Sequence, residues 1–297
     1  MRHGTVELFG ARFRNPILLA AGTAGFGREV AGVVDLAAIG GLVTKAVSVE
    51  PRLGNPAPRV AETPGAMLNS VGLANPGLEA VKQHDLPWLR EHQPDLPVIV
   101  NVVGHTVADF VTVVNGLARE PGITAFELNV SCPNEERGGL EFGADDAVLA
   151  GLVRQARAAC AVPLIVKLSP MLPDPARTAA AAVAAGADAF TCVNTIPAAS
   201  YRGRLEPGTP LGKGPGGVSG PPLLALGVTM TRLVAQATGQ PVIGAGGVGS
   251  GRDARQYLDA GASLVAVGTA ALADPRAPAR IAAELARLPR EERAGAA

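Results

Sequence analysis

Aromatic side chains are scarce in this chain, 3% of 297 residues against 47% hydrophobic residues overall. The core must therefore be built from Ala, Val, Leu and Ile, as in tightly wound α/β proteins. Cysteine is rarer still. Cys132, Cys160 and Cys192 are odd in number, far apart and without a CxxC pair, which argues against disulfides, structural zinc and an iron–sulfur cluster ligated by this chain alone. Net charge is absent too: 26 basic and 26 acidic residues cancel, with no basic stripe interleaved with aromatics, so nucleic acid is not an expected partner. The start, MRHGTVELFG, has no apolar h-region, and no run of about eighteen apolar residues occurs, so the chain reads as cytoplasmic, neither secreted nor membrane-inserted. Glu135, Glu136 and Glu141 share a loop with no histidine beside them, and no metal site is expected.

What the chain does have is a recurrent apolar segment. After a small hairpin at Thr5–Phe13 about Gly10, such segments fall at 16–21, 41–47, 97–103, 125–130, 163–169, 189–195, 241–247 and 263–269. Helical patterns lie between them at Val107–Arg119, Asp145–Ala161, Arg177–Ala185, Leu223–Ala237 and Asp253–Ala260. The turns AAGAD (184–188) and DAGAS (259–263) repeat one device, a glycine ending a helix just before a strand. Eight alternations favour a (β/α)8 TIM barrel over an open doubly wound sheet. The placement of the polar residues decides between them. Gly22, Thr23, Lys45, Asn101, Asn129, Lys167, Asn194, Gly246, Gly247, Gly268 and Thr269 all lie at or near strand C-terminal ends, which meet in one ring only if the sheet closes. Long loops without structure of their own are expected on that face at Ser48–Pro76 and at Ile196–Pro222, the latter with Arg202, Arg204 and Lys213. No linker divides the chain, which reads as one domain over 1–297 with a polar tail from Arg287 to Ala297.

Several positions carry candidate chemistry. In ELNVSCPNEERGG (127–139), a strand runs into a polar loop where Cys132 has no apolar periodicity to bury it, so a functional thiol is favoured over an inert one. Gly244, Gly246 and Gly249 satisfy GxGxxG, yet the next strand lacks the acidic residue a dinucleotide site needs, so phosphate binding by loops 7 and 8 is the better reading. Tight-turn glycines without a ligand are the plainer alternative. Lys45 and Lys167 sit in apolar strands, where each needs an anion at the ring's mouth or serves as a Schiff-base lysine. Asn69, Asn129 and Asn194 offer amides suited to an imide-like edge, or simply cap loops. His105 after strand 3 is a candidate dyad partner for Cys132; His3, His84 and His92 read as surface residues.

The segments TKAVSVEPRLGNPAPRVAET, GAMLNSVGLANPG, ELNVSCPN with GG and FG following, VKLSP, VNT, GGVSGPP, GAGGV and VGTA together resemble the dihydroorotate dehydrogenases, over about Asn15–Pro275. The resemblance is to class 1, which uses a cysteine base, and within it to class 1B, the NAD-linked branch, with fumarate-dependent class 1A as the alternative. It implies oxidation of (S)-dihydroorotate to orotate, with Cys132 removing the C5 proton and hydride passing from C6 to FMN. It places Ala21, Lys45, Ala46, Asn101, Asn129, Lys167 and Val193 about the flavin, and Gly220, Gly246, Gly247, Gly268 and Thr269 at its phosphate. Lys45, Asn69, Ser70, Val71, Gly72, Leu73, Asn129, Asn194 and Thr195 fall to the substrate. Ala21 stands where the family often has serine, so its contact falls to the backbone. The partners implied are a second copy of this chain and an iron–sulfur flavoprotein subunit, which alone would carry FAD and the cluster. A lyase or aldolase working through Lys45 or Lys167, and a catalytically silent flavin-binding subunit, are the competing functions.

Overall fold

The computed structural model describes residues 4–131, 133–134, 140–199 and 210–289. The expectations for Cys132, Glu135, Glu136, Gly138, Gly139, Arg202, Arg204 and the tail beyond 289 lie outside the described residues. The hairpin forms as read, β1 (Val6–Leu8) against β2 (Ala11–Phe13), with Gly10 at φ 72° in its turn. The barrel begins with β3 (Ile17–Leu19) and β4 (Gly41–Val43). The chain then leaves the barrel for β5 (Val60–Thr63) and β6 (Ala66–Asn69). It returns through α1 (Leu78–Ala80), a π-helical turn at Val81–Asp85 and α2 (Leu86–His92). Next come β7 (Val98–Val102), α3 (Val107–Leu117) and β8 (Ile123–Asn129), followed by the two-residue pair β9 (Pro133–Asn134) and β10 (Leu140–Glu141). Then α4 (Asp146–Ala159), β11 (Leu164–Leu168), α5 (Pro175–Ala184) and β12 (Ala189–Cys192) complete the third quarter. After β13 (Ile196–Ala198) and β14 (Gly216–Ser219), the chain closes with α6 (Leu224–Thr238), β15 (Val242–Ala245), α7 (Gly251–Asp259), β16 (Leu264–Val267), α8 (Thr269–Ala273) and α9 (Ala277–Arg287).

The ring β3-β4-β7-β8-β11-β12-β15-β16 is parallel throughout and closes where Ala266 pairs with Leu18. This is the (β/α)8 barrel, and the open sheet is excluded. Local chemistry sets the helix bounds: Thr106 and Asp109 form a capping box at α3, and Asp145 accepts from Ala147 and Val148 at α4. Gly186 and Gly261 both take φ 108° just past α5 and α7, the device read from AAGAD and DAGAS. Helical stretches at Leu78–His92 and Ala277–Arg287 add to the five read from periodicity.

Two apolar bodies share the barrel wall. Residues such as Phe126, Leu128, Val166, Phe190 and Val265 face outward and pack against the helices. Leu18, Val43, Ile99, Ala125, Ile165, Ala189, Ile243 and Leu264 fill the inside, and Phe13 with Val6, Leu8 and Phe9 of the hairpin covers their lower end. The period of two along each strand then puts Asn101, Glu127, Lys167 and Thr191 inside as well, one layer higher.

One expectation is overturned. The loops at Ser48–Pro76 and Ile196–Pro222 are not structureless: they contribute a four-stranded antiparallel sheet in the order β13-β14-β6-β5. Gly217 pairs with Asn69 across 148 positions, and GGVS carries no β-branched alternation, so single-sequence patterning gives no sign of the pairing.

The fully buried Tyr257 of α7 lies in a space left by two glycines: a methyl at Gly227 or Gly244 would overlap its hydroxyl or its ring. Gly227→Ala and Gly244→Ala are each expected to lower the unfolding free energy by about 1–3 kcal/mol, as overpacked cores do. Denaturant titration of the two variants checks this. Midpoints equal to the parent's would mean that the ring moves aside freely.

Candidate active site

Above the apolar filling, one half of the barrel is polar. Glu127, 1% exposed, accepts from Asn101 Nδ2 at 2.7 Å and from Thr191 Oγ1 at 2.6 Å, and Lys167 Nζ stands 3.8 Å from the same Oε1 that Asn101 uses. The anion that Lys167 needs is therefore a carboxylate of the barrel itself. The other half carries small side chains at this level, Ala20, Ala245 and Ala266, which take up little of the chamber. Lys45, just past β4, is half-buried and has no ion-pair partner among the described residues; its backbone N donates to Gly25 O at 2.8 Å. It borders an open pocket of about 580 Å³ with Phe26, Glu29, Asp85 and Trp88.

The amide residues converge as well. Asn194 Nδ2 donates to Asn129 Oδ1 at 3.1 Å, and Asn194 Oδ1 accepts from Thr195 N at 2.8 Å. Asn69 Nδ2 donates to Gly217 O at 3.3 Å, tying β6 to β14. The chain from Ser70 to Leu73 is laced to its neighbour: Ser70 Oγ accepts from Asn55 Nδ2 at 2.9 Å, and Val71 O accepts from Asn55 N at 3.0 Å. Gly72 takes φ 72° and Leu73 φ 55°, a left-handed pair in which the leucine is strained, and Leu73 packs on Ala46 and Val103. Asn75, which sequence reasoning passes over, holds the loop's far end. It accepts from Gly77 N at 2.9 Å and donates to Leu73 O and Ser48 Oγ, both at 2.8 Å. Its only signal in the sequence is the Pro-Gly that follows it.

On the opposite side lie the glycine turns. Gly246 and Gly247 take φ 116° and 72°, and a Cβ on Gly247 would stand 2.7 Å from Leu224 N. Tyr257 Oη donates to Ala245 O at 3.0 Å and Gly246 O at 2.7 Å, fixing this turn from below. Thr269 Oγ1 donates to Ser219 Oγ at 2.8 Å, which joins the loop after β16 to β14 and to Gly220 (φ 102°). Gly268 adjoins Ala20, next to Ala21 of the first barrel loop, and Val193 N donates to Ala245 O at 2.8 Å. The α7 end is already occupied by carboxylates: Gly251 N donates to Glu284 Oε2 at 2.7 Å and Gly249 N to Asp253 Oδ2 at 3.1 Å. Of the three GxGxxG glycines, Gly244 makes room for Tyr257 and Gly249 serves this cap, which leaves Gly246, at φ 116°, in the turn itself. His105 lies apart, in a pocket of about 200 Å³ with Ser48, Glu50, Arg52 and Asp109. Among the described residues, no group of three or more His, Cys, Asp or Glu is placed to hold a metal ion, and no helix is long and apolar enough to cross a membrane.

Comparison with known proteins now bears on this geometry. The family model for dihydroorotate dehydrogenase matches residues 4–288. The chain belongs to the dihydroorotate dehydrogenase family. Its relatives include the protein named dihydroorotate dehydrogenase B (NAD(+)), catalytic subunit, from Geobacillus kaustophilus, 45% identical over 286 residues, 96% of this chain and 90% of the relative. The proteins of the same name from Cutibacterium acnes (46% over 277 residues, 93% and 90%) and Bacillus caldolyticus (44% over 286 residues, 96% and 90%) are equally similar.

Enzymes of the dihydroorotate dehydrogenase family are flavin-dependent, and the residues present fit such a group. Asn101 Oδ1 is buried without a hydrogen-bond partner among the described residues, which a protein interior seldom tolerates unless a ligand or an ordered water completes it. Across the ring, the Gly246–Gly247 turn takes φ 116° and 72°, a backbone that glycine adopts readily, and leaves no room for a side chain against Leu224.

Glu141 ends the β9–β10 pair opposite Pro133. Burial pushes its carboxyl above the usual value of 4.5, and a hydrogen bond with Ser169 opposes this. The folded state thus binds a proton that the unfolded chain has already released, so stability falls as pH rises from 4.5 through the raised folded value. Glu141→Gln should flatten that part of the profile, measured as thermal midpoint against pH. An unchanged slope would show that the carboxyl is solvated.

Proposed function

We propose that the chain is the catalytic subunit of an NAD-linked dihydroorotate dehydrogenase, oxidising (S)-dihydroorotate to orotate in pyrimidine biosynthesis with FMN at the mouth of the barrel. The observation that carries this reading is the buried Asn101 Oδ1, without a hydrogen-bond partner among the described residues, in the polar layer above the barrel's filling, in a chain 45% identical to a protein of that name. The ring falls to Ala21, Lys45, Ala46, Asn101, Asn129, Lys167 and Val193. The phosphate falls to backbone N–H groups at Gly220, Gly246, Gly247, Gly268 and Thr269, where glycine lets the chain approach. When bound, FMN supplies the acceptor for the hydride that leaves C6.

The chain's own residues do the rest. Lys45 offers a charge without a partner among the described residues, suited to the substrate carboxylate. Asn69, Asn129, Asn194 and Thr195 offer donors and acceptors to the pyrimidine edge, and the backbone of Ser70, Val71, Gly72 and Leu73 closes over it. Cys132 takes the C5 proton, so that proton and hydride leave adjacent carbons and a double bond forms between them. A thiol of ordinary pKa near 8.5 is a usable base near neutrality once neighbouring dipoles favour its thiolate. The Schiff-base alternative is weaker for Lys167, which is committed to Glu127. A homodimer of such barrels, each one domain over 1–297, joined by an FAD-bearing iron–sulfur subunit in the cytoplasm, completes the proposal.

Purified protein is expected to show flavin absorption that bleaches anaerobically with dihydroorotate. A colourless chain that FMN cannot reconstitute refutes the redox reading, and a coloured one that never bleaches favours a silent binder. Cys132→Ala should keep its flavin yet reduce it about 10²–10⁴-fold more slowly, the usual cost of losing a positioned base. Stopped-flow reduction across pH measures this; a wild-type rate and profile would move the search to His105. NAD reduction should need a co-expressed iron–sulfur flavoprotein, whereas rapid turnover of the isolated chain with fumarate would favour the class 1A alternative.

A further inference from the structure

Glu127 belongs to no role assigned so far, yet it is the most enclosed charged group in the barrel. It is also connected to two residues proposed for the flavin, Asn101 and Lys167, and to Thr191, which has no role either. We infer that Glu127 is a positioning residue that fixes the hydrogen-bonding polarity of Asn101 and supplies the counter-charge of Lys167, and through both sets the redox balance of the bound flavin. The inference rests on FMN binding at this mouth as proposed above.

An ionised carboxylate only accepts hydrogen bonds, whereas an amide has one accepting and one donating end. With Glu127 Oε1 at 2.7 Å, the end of Asn101 that faces it must be the NH2, so the orientation follows from chemistry rather than from a choice between similar atoms. Thr191 Oγ1 spends its proton on Oε2 at 2.6 Å, and the Asn101 backbone N donates to Thr44 Oγ1 at 3.2 Å, so neighbouring groups hold both ends of the unit. The Asn101 oxygen is left over, buried and without a partner. It calls for a donor, and an oxidised flavin ring carries one such group, its imide N–H. Glutamine at 127 would offer Asn101 either end of an amide, and the selection for an N–H partner would be lost.

The second part is electrostatic. Lys167 Nζ stands 3.8 Å from Glu127 Oε1 in a site where both side chains are almost wholly enclosed. In such surroundings the field of one charge is screened weakly, so the Lys167 side chain acts on a ring above it with most of its charge cancelled from below. Removing the carboxylate exposes the ring to more of that positive field. The electron-rich reduced flavin is then favoured, and the potential rises.

The test compares Glu127→Gln, Glu127→Asp and Thr191→Val as flavin-loaded proteins. Two readouts other than turnover are used: FMN affinity by fluorescence, and reduction potential by equilibration with a reference dye. Glu127→Gln should bind FMN at least tenfold more weakly and shift its reduction equilibrium at least tenfold toward the reduced form, about 30 mV upward for two electrons. Glu127→Asp keeps the charge and should hold the parent's potential, while Thr191→Val removes one hydrogen bond and should move affinity more than potential. The KM for dihydroorotate should stay near the parent's in all three. An unchanged or lower potential in Glu127→Gln overturns the inference, as does an equal shift in all three variants, which would mark a packing role. If Glu127→Gln does not fold, the parent apoprotein decides: it should bind FMN methylated at the imide nitrogen at least tenfold more weakly than FMN, and equal binding overturns the inference. A parent chain that binds no FMN overturns the proposed function as well, whereas a parent that binds it normally confines any failure to Glu127.

Discussion

A carboxylate carried from water into a barrel interior costs several kcal/mol even after the surroundings relax, and Glu127 is tolerable only because three neighbours meet it there. Those neighbours stand on β7, β11 and β12, so the requirement is not local to one strand. Their registers must agree, and a slip of one residue would turn each polar group outward into the helix-facing layer. The apolar filling below, with Ile99, Ala125, Ile165 and Ala189 on the same strands, obeys the same parity. The boundary between dry floor and polar chamber is thus shared by one half of the ring, drawn at one level on each of these four strands.

Above that level, the fold changes strategy. The barrel strands are held by parallel ladders, but the chamber's rim is held by side chains bonding to backbone: Asn75 to Gly77 and Leu73, Asn55 to Ser70 and Tyr257 to Ala245 and Gly246. Such bonds fix turns that no regular element would supply, and they leave backbone groups free of ladder partners and able to meet a ligand. The small sheet of β5, β6, β13 and β14 serves the same end, tying two loops from distant parts of the chain into one structure over the mouth.

This division explains what was legible in the sequence. All eight barrel strands could be read, because each is a short apolar run ended by glycine or a polar residue, and so could the five helices α3 to α7. The small sheet could not, since its strands pair across the chain and GGVS carries no alternation. Lys45, Lys167 and the three asparagines stood out because polar residues at the ends of apolar runs are conspicuous. Glu127 did not: it sits two residues before Asn129 within AFELNV, and a single sequence gives no way to tell an inward glutamate from a solvated one. Tyr257 was hidden for the opposite reason, as an aromatic on a helix looks like ordinary core, and the two glycines facing it leave the space from which its hydroxyl reaches the Gly246 turn.

The N-terminal hairpin has a consequence for traffic. By covering the lower end of the barrel with Phe13, Val6, Leu8 and Phe9, it closes that end among the described residues, which leaves the face where the strands end as the way into the chamber. Whatever enters must leave by the route it came, so an incoming molecule waits for the outgoing one. Kinetically, this makes occupancy of the doorway a shared resource: a lingering product obstructs the next arrival without touching any catalytic group.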